Sequence, residues 1–251
     1  LRMSGWTMPD MLVDDGVALM LTLPSLPVEP GMPAQPDKRK ELLDNHEESM
    51  RRIRDYFEFA RRYAAALAKG ESPETESFAP GLDLDAMLPF VRRERPVFFT
   101  ANSYKEIREA LRFADTYELR PVIFGGREAW TLAGLLAERG IPVVLDSVFD
   151  VPHSPLTPWN APYTNAAALE KAGVRFCFAT LGGPFGGAGL AKLLPLYAGF
   201  AVAHGLSEER ALRAITLDAA GILGVDRRLG SIETGKEATL IICTDTPLQA
   251  C

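Results

Sequence analysis

Residues 175–189, RFCFATLGGPFGGAG, run from an apolar, aromatic stretch into five glycines, Gly182, Gly183, Gly186, Gly187 and Gly189. A strand that ends in glycines lets backbone approach a ligand closely, as in a phosphate cradle or at the mouth of an enzyme pocket. A P-loop would need Lys-Ser/Thr after the glycines, and the dinucleotide fingerprint needs a different spacing; neither is present. Asp146 and Asp150 flank the end of another apolar run, IPVVLDS, where paired carboxylates can bind a cation or cap a loop. His153 follows in the loop DVPHSPLTPWN. The other histidines, His46 in a charged helical stretch and His204 at a helix end before Gly205, lie far from it in sequence. Cys177, Cys243 and Cys251 have neither zinc nor redox spacing, and no serine sits in a G-x-S-x-G elbow.

The elements that must position these groups follow from composition and period. The chain has 251 residues, 47% hydrophobic and 24% charged, with a net charge of -6. That is enough for one large α/β domain or two small ones, and the acidic balance argues against a nucleic-acid partner. No apolar run approaches the roughly 20 residues that span a bilayer, so no membrane partner is expected. Compartment is not legible. The sequence opens on Leu1 and stops just after an apolar run, and both ends read as cut from a longer polypeptide.

Four segments divide the chain. Residues 1–36 hold one strand-like run, GVALMLTLP, and a proline-rich linker. Residues 37–95 are a helical lead-in, in which Ile53, Phe57, Ala60 and Ala64 keep a helical period. From Pro96 to residue 228, the runs PVFFT, RPVIFGG, IPVVLDS and VRFCFATLGG alternate with amphipathic helices. Nearly continuous apolar strands of this kind are buried parallel strands joined by crossovers, either half of a (β/α)8 barrel or a small doubly wound sheet. Ser207 and Thr216 are the expected caps of two further helices, and residues 229–251 read as turn, short strand, turn, strand.

The stretch GLSEERALRAITLDAAGILGVDRRLGSIETGKEATLIICTDTPL resembles the C-terminal segment of the metal-dependent amidohydrolase superfamily, in its imidazolonepropionase-like branch. The turn Gly230, Ser231, Ile232, Glu233, Thr234, Gly235, Lys236 carries the likeness, with Thr239 where aspartate is usual. The resemblance implies the last four β/α units of a TIM-like barrel, with residues 229–251 supplying strands of a small, truncated β-sandwich. It implies hydrolysis of cyclic amide C–N bonds by a zinc or other divalent ion held at the C-terminal strand ends.

Carried over residue by residue, the resemblance places a histidine position on Thr100, a second on Gly125, and the metal-binding aspartate on Leu181, beside a matching Thr180. None of the three is a metal ligand. The expectation is therefore a pseudoenzyme: a barrel domain with a degenerate metal site, no catalytic metal, and ATLGGPFGG as the mouth of a former or altered active site. Asn102, Asp146, His153, Thr180 and Gly182 are the candidates for a small-molecule pocket. Two alternatives stay open. One is an active hydrolase whose ligands lie before Leu1. The other is a non-catalytic scaffold that pairs with itself or with an active amidohydrolase domain.

Overall fold

The computed structural model describes residues 7, 12–25, 36–70, 83–146, 148–152, 157–180 and 190–248. Its centre is a five-stranded parallel sheet: β1 (Leu19–Leu21), β2 (Val97–Ala101), β3 (Pro121–Gly125), β4 (Val143–Leu145) and β5 (Phe176–Phe178). The spatial order is the chain order, each strand pairing in parallel with the next. A doubly wound sheet reverses its order at an interior strand, whereas a barrel wall does not. The sheet is thus a length of barrel wall, with β1 adding a strand to the four β/α units read from the sequence.

Strand alternation gives the wall two faces. Val97, Phe99, Ile123, Val143, Leu145, Phe176 and Phe178 pack with the helices in the main core. The alternate row, Phe98, Val122, Val144 and Cys177, forms a second, smaller cluster with Ile222. The aromatic and β-branched runs that looked like strands are strands because both faces are covered.

The helices follow from stripes and caps. In α1 (Pro36–Ala68) Phe57 and Ala60 are buried, and Phe57 meets Phe113 edge-on at 5.2 Å. Helix α2 (Leu84–Val91) is capped by Asp83, whose carboxylate accepts from the Ala86 N–H at 3.0 Å. Helix α3 (Tyr104–Thr116) starts with a capping box between Ser103 and Glu106. Helix α4 (Ala133–Glu138) continues a 3-10 turn, and α5 (Ala161–Ala172) ends at Gly173 with φ 79°. Helices α6 (Leu194–Ala203), α7 (Glu208–Ala214) and α8 (Leu217–Ile222) close the fold. Ser207 caps α7 as expected, accepting from the Arg210 N–H. Thr216 does not cap α8: its hydroxyl donates to the Leu212 carbonyl at 2.7 Å, because the preceding helix offers an orphan carbonyl one turn back.

One polar clip binds three of these elements. Arg210 donates from Nη1 to Asp218 Oδ2 at 2.6 Å and from Nη2 to the Val174 carbonyl at 2.9 Å. Its guanidinium lies 4.9 Å from the Phe176 ring centroid. So α7, α8 and the start of β5 share one side chain.

The C-terminal segment departs from expectation. No strand forms among residues 229–248, where the β-sandwich strands were expected. Gly230 and Gly235, at φ 98° and 93°, do make the turns, and the Glu237 N–H donates back to the Arg228 carbonyl at 2.9 Å. A strand needs a neighbour, and none lies beside residues 238–243 among the described residues. Ile241 and Ile242 are left 76% and 100% exposed. An unpaired β-branched run of this kind associates edge to edge. Ile241→Lys is expected to lower the associated fraction by about twofold or more in light scattering, with unchanged circular dichroism. An unaltered fraction would show that this run is not the sticky element.

Candidate functional site

The C-terminal ends of the strands gather the chemistry, as the ends of parallel strands do in open and closed α/β sheets. Register sets the levels. Thr100 pairs with Phe124, and Phe124 with Val144, on the row away from the main helical core. Gly125 pairs with Ala101 and Leu145 on the helix-facing row. On β3 the residue that shares the row of Thr100 is thus Phe124, and Gly125 faces the other way. Thr100 and Gly125, both given to histidine by the resemblance, therefore lie on opposite faces of the sheet.

Gly125 is itself unsuited to an imidazole. Its φ is 99°, and a Cβ there would lie 2.3 Å from Asn102 Oδ1. Asn102 is held by its main chain: its N–H donates to Glu106 Oε2 at 2.8 Å, and its carbonyl accepts from the Glu128 N–H at 2.8 Å. Its Oδ1 is buried without a hydrogen-bond partner.

Asp146 follows β4 directly and is only 5% exposed. Its Oδ1 has no hydrogen-bond partner. Burial pushes its carboxyl above the ordinary carboxylate value. Arg127 and the residue's own backbone N–H oppose that shift, and Asp150 adds to it. Arg127 Nη1 lies 2.9 Å from Asp150 Oδ2, an ion contact without the angle of a hydrogen bond, while its Nε is buried and unpartnered. The cluster is thus a buried carboxyl, a guanidinium and a second carboxylate, with acceptor and donor capacity unspent.

Asn165 was not foreseen. From within α5 its Nδ2 donates to the Gly126 and Arg127 carbonyls at 2.9 and 3.3 Å, and its Oδ1 accepts from the Trp130 N–H at 3.0 Å. It holds the loop that carries Arg127. The only local signal was an asparagine amid alanines in a helix, a residue that helix propensity alone disfavours.

Of the remaining candidates, Thr180 lies half-buried beyond β5. His153, Leu181 and Gly182, with the rest of the glycine cluster, fall outside the described residues. His204 Nδ1 is 2.9 Å from the Phe200 carbonyl and its ring packs on Tyr163 and Phe200, a helix-end role. The Cys177 thiol is buried, which pushes it up to about 12 and leaves it inert.

Among the described residues, no group of three or more His, Cys, Asp or Glu lies close enough to hold a metal ion. The inward groups at these strand ends are a hydroxyl on β2, a phenyl ring on β3 and one carboxyl after β4, and they do not fit a catalytic zinc.

Residues 163–250 match the Amidohydrolase family. The matched stretch begins within α5 and takes in β5, the last three helices and the C-terminal segment. An amidohydrolase from Thermotoga maritima MSB8 superposes with a TM-score of 0.69 at 24% identity, over 92% of this chain and 57% of that one. At that identity the likeness is one of fold, and the chain spans little more than half of that amidohydrolase. A metal-dependent hydrolase from Pyrococcus furiosus aligns at 18% identity over 62% of this chain and 34% of its own, with a TM-score of 0.45. A zinc-bound adenosine deaminase from Xanthomonas campestris aligns at 26% identity over 58% and 36%, with a TM-score of 0.42. No curated protein matches the chain. No helix among the described residues is long and apolar enough to cross a membrane.

Proposed function

We propose that this chain is an amidohydrolase-like barrel domain of the imidazolonepropionase-like branch whose strand ends carry no catalytic metal, and that it binds a small molecule beside Asp146. The observation that carries this reading is the inward row at the strand ends, Thr100 on β2 and Phe124 on β3, neither of which can ligate a metal. Gly125, the position the resemblance gives to histidine, lies on the opposite row, and its φ of 99° strains any side chain placed there. Leu181 in place of the metal-binding aspartate agrees with it. When bound in the family, the metal activates water; here the chain's own residues would bind and orient. The Asp146 carboxyl accepts a ligand N–H or shares a proton, Arg127 balances its charge, and Asn165 fixes the loop between them.

The span of only 57% of the Thermotoga amidohydrolase favours a second reading, in which metal ligands come from sequence outside these residues and the whole is an active hydrolase.

Asp146→Asn tests the site. A carboxyl whose folded pKa is raised binds more protons folded than unfolded, so stability falls as pH rises from the ordinary carboxylate range through the raised value. Asp146→Asn removes that loss. It is expected to raise stability at neutral pH and to flatten the slope across that window. Sites of binding or chemistry tolerate such a cost to the fold. A destabilised variant with an unchanged slope would mean that Asp146 is structural.

A further inference from the structure

On the outer side of the barrel wall, α1 and α3 enclose a cleft of about 650 Å³. Its floor includes Met50, Phe113 and Tyr117, all buried. Its charged lining is Arg54 from α1 and Lys105, Arg108 and Arg112 from α3, against the single carboxylate of Glu109. Four cations against one anion leave three positive charges in a chain whose net charge is -6. Asp55 and Glu58 of α1 act on the Tyr117 end of the cleft, where Arg54 and Arg61 oppose them.

Some arginines elsewhere are matched with carboxylates, as in Arg95 with Asp14, Arg139 with Asp115, Arg210 with Asp218 and Arg228 with Glu237, while others such as Arg61, Arg92 and Arg120 have no such partner among the described residues. Arg54, Lys105, Arg108 and Arg112 enter no ion pair among the described residues, and Arg108 is bonded only to the Tyr104 hydroxyl, at 3.2 Å. On α3 the three cations stand three and four residues apart, the spacing of neighbours on one helix face. Glu109, four residues after Lys105 and three before Arg112, offsets part of their mutual repulsion. A net-positive grouping that lines a concave space over an aromatic floor suits an anion.

We infer that this cleft binds a small phosphate ester with an aromatic or apolar body. A monocarboxylate neutralises one of the three surplus charges. A phosphate brings a charge near −2 and three acceptor oxygens, and guanidinium groups grip it by paired hydrogen bonds. Tyr104 and the buried aromatic floor receive the body of the ligand. This site lies on the helical layer and does not depend on the reading of the strand ends.

The test titrates the whole chain by calorimetry with phenyl phosphate, benzoate and inorganic phosphate. Phenyl phosphate is expected to saturate with a Kd below about 1 mM. Benzoate is expected to bind about tenfold more weakly, and inorganic phosphate to be the weaker of the two phosphates. Arg108→Glu combined with Arg112→Glu is expected to weaken phenyl phosphate binding by more than about tenfold, with unchanged circular dichroism. Should that protein not fold, Arg54→Gln on the other helix gives the same reading. Asp146→Asn is expected to leave phenyl phosphate binding unchanged, which separates this cleft from the strand-end face. Absence of saturation, benzoate bound as tightly as phenyl phosphate, or full binding by the charge-altered proteins would overturn the inference.

Discussion

Asp218→Ala is expected to destabilise the protein by about 3 kcal/mol and to lower Tm by about 5–10 °C. The Asp218 side chain is 5% exposed and that of Arg210 19%, so removing one partner leaves the other charge largely cut off from water. Arg210 would keep the Val174 carbonyl and its contact with Phe176, which limits the loss. Arg210→Met is expected to cost at least as much, because the carboxylate left behind is the more buried group. Arg213 reaches Asp218 only at 3.5 Å and is half exposed, so it rescues little. Replacing both partners with apolar groups, Arg210→Met with Asp218→Leu, is expected to cost clearly less than the sum of the single changes. Urea unfolding of the three variants measures this. Single changes within about 0.5 kcal/mol of the native protein would mean that α7 and α8 are held to β5 by packing alone.

Gly125→His is expected to lose about 2–4 kcal/mol and to gain no metal. Two obstacles act together. A side chain at φ 99° is strained whatever the space, and Asn102 Oδ1 occupies the place of its Cβ. Asn102→Gly in the same chain separates them: it removes the collision and leaves the backbone strain, so part of the loss should persist. Chemical denaturation gives the stability, and cobalt spectroscopy reports any tetrahedral site. A Gly125→His protein as stable as the original would show that the β3 end can accept a ligand side chain, and the structural argument for a lost site would fall.

The contrast between Gly125 and Asn165 shows what the sequence could reveal. PVFFT, RPVIFGG, IPVVLDS and VRFCFATLGG were legible as strands because parallel strands covered on both faces are written as apolar runs. The capping box at Ser103 and the cap at Ser207 were local, a side chain meeting a main chain three residues on. Asn165 was not legible, since its partners lie 35 to 39 residues away and its role exists only once α5 has packed on the loop after β3. The same holds for Arg127, whose charge answers Asp150 across 23 positions of chain. The face of Gly125 depended on register to within one residue, finer than strand composition can set. For residues 229–248 the turns expected at Gly230 and Gly235 form but the strands do not, since a strand is a paired state and its partner is not written in the segment itself.

The central claim is that these strand ends hold no catalytic metal. The most direct measurement is elemental analysis of the purified chain after dialysis against zinc, manganese or iron, paired with a hydrolysis assay on a cyclic amide in the presence and absence of chelator. The account expects substoichiometric metal and no chelator-sensitive hydrolysis. Leu181→Asp alone should restore neither, since Thr100 and Gly125 still lack imidazoles. A tightly held equivalent of metal per chain, with hydrolysis abolished by the chelator, would contradict it and establish the active-hydrolase reading.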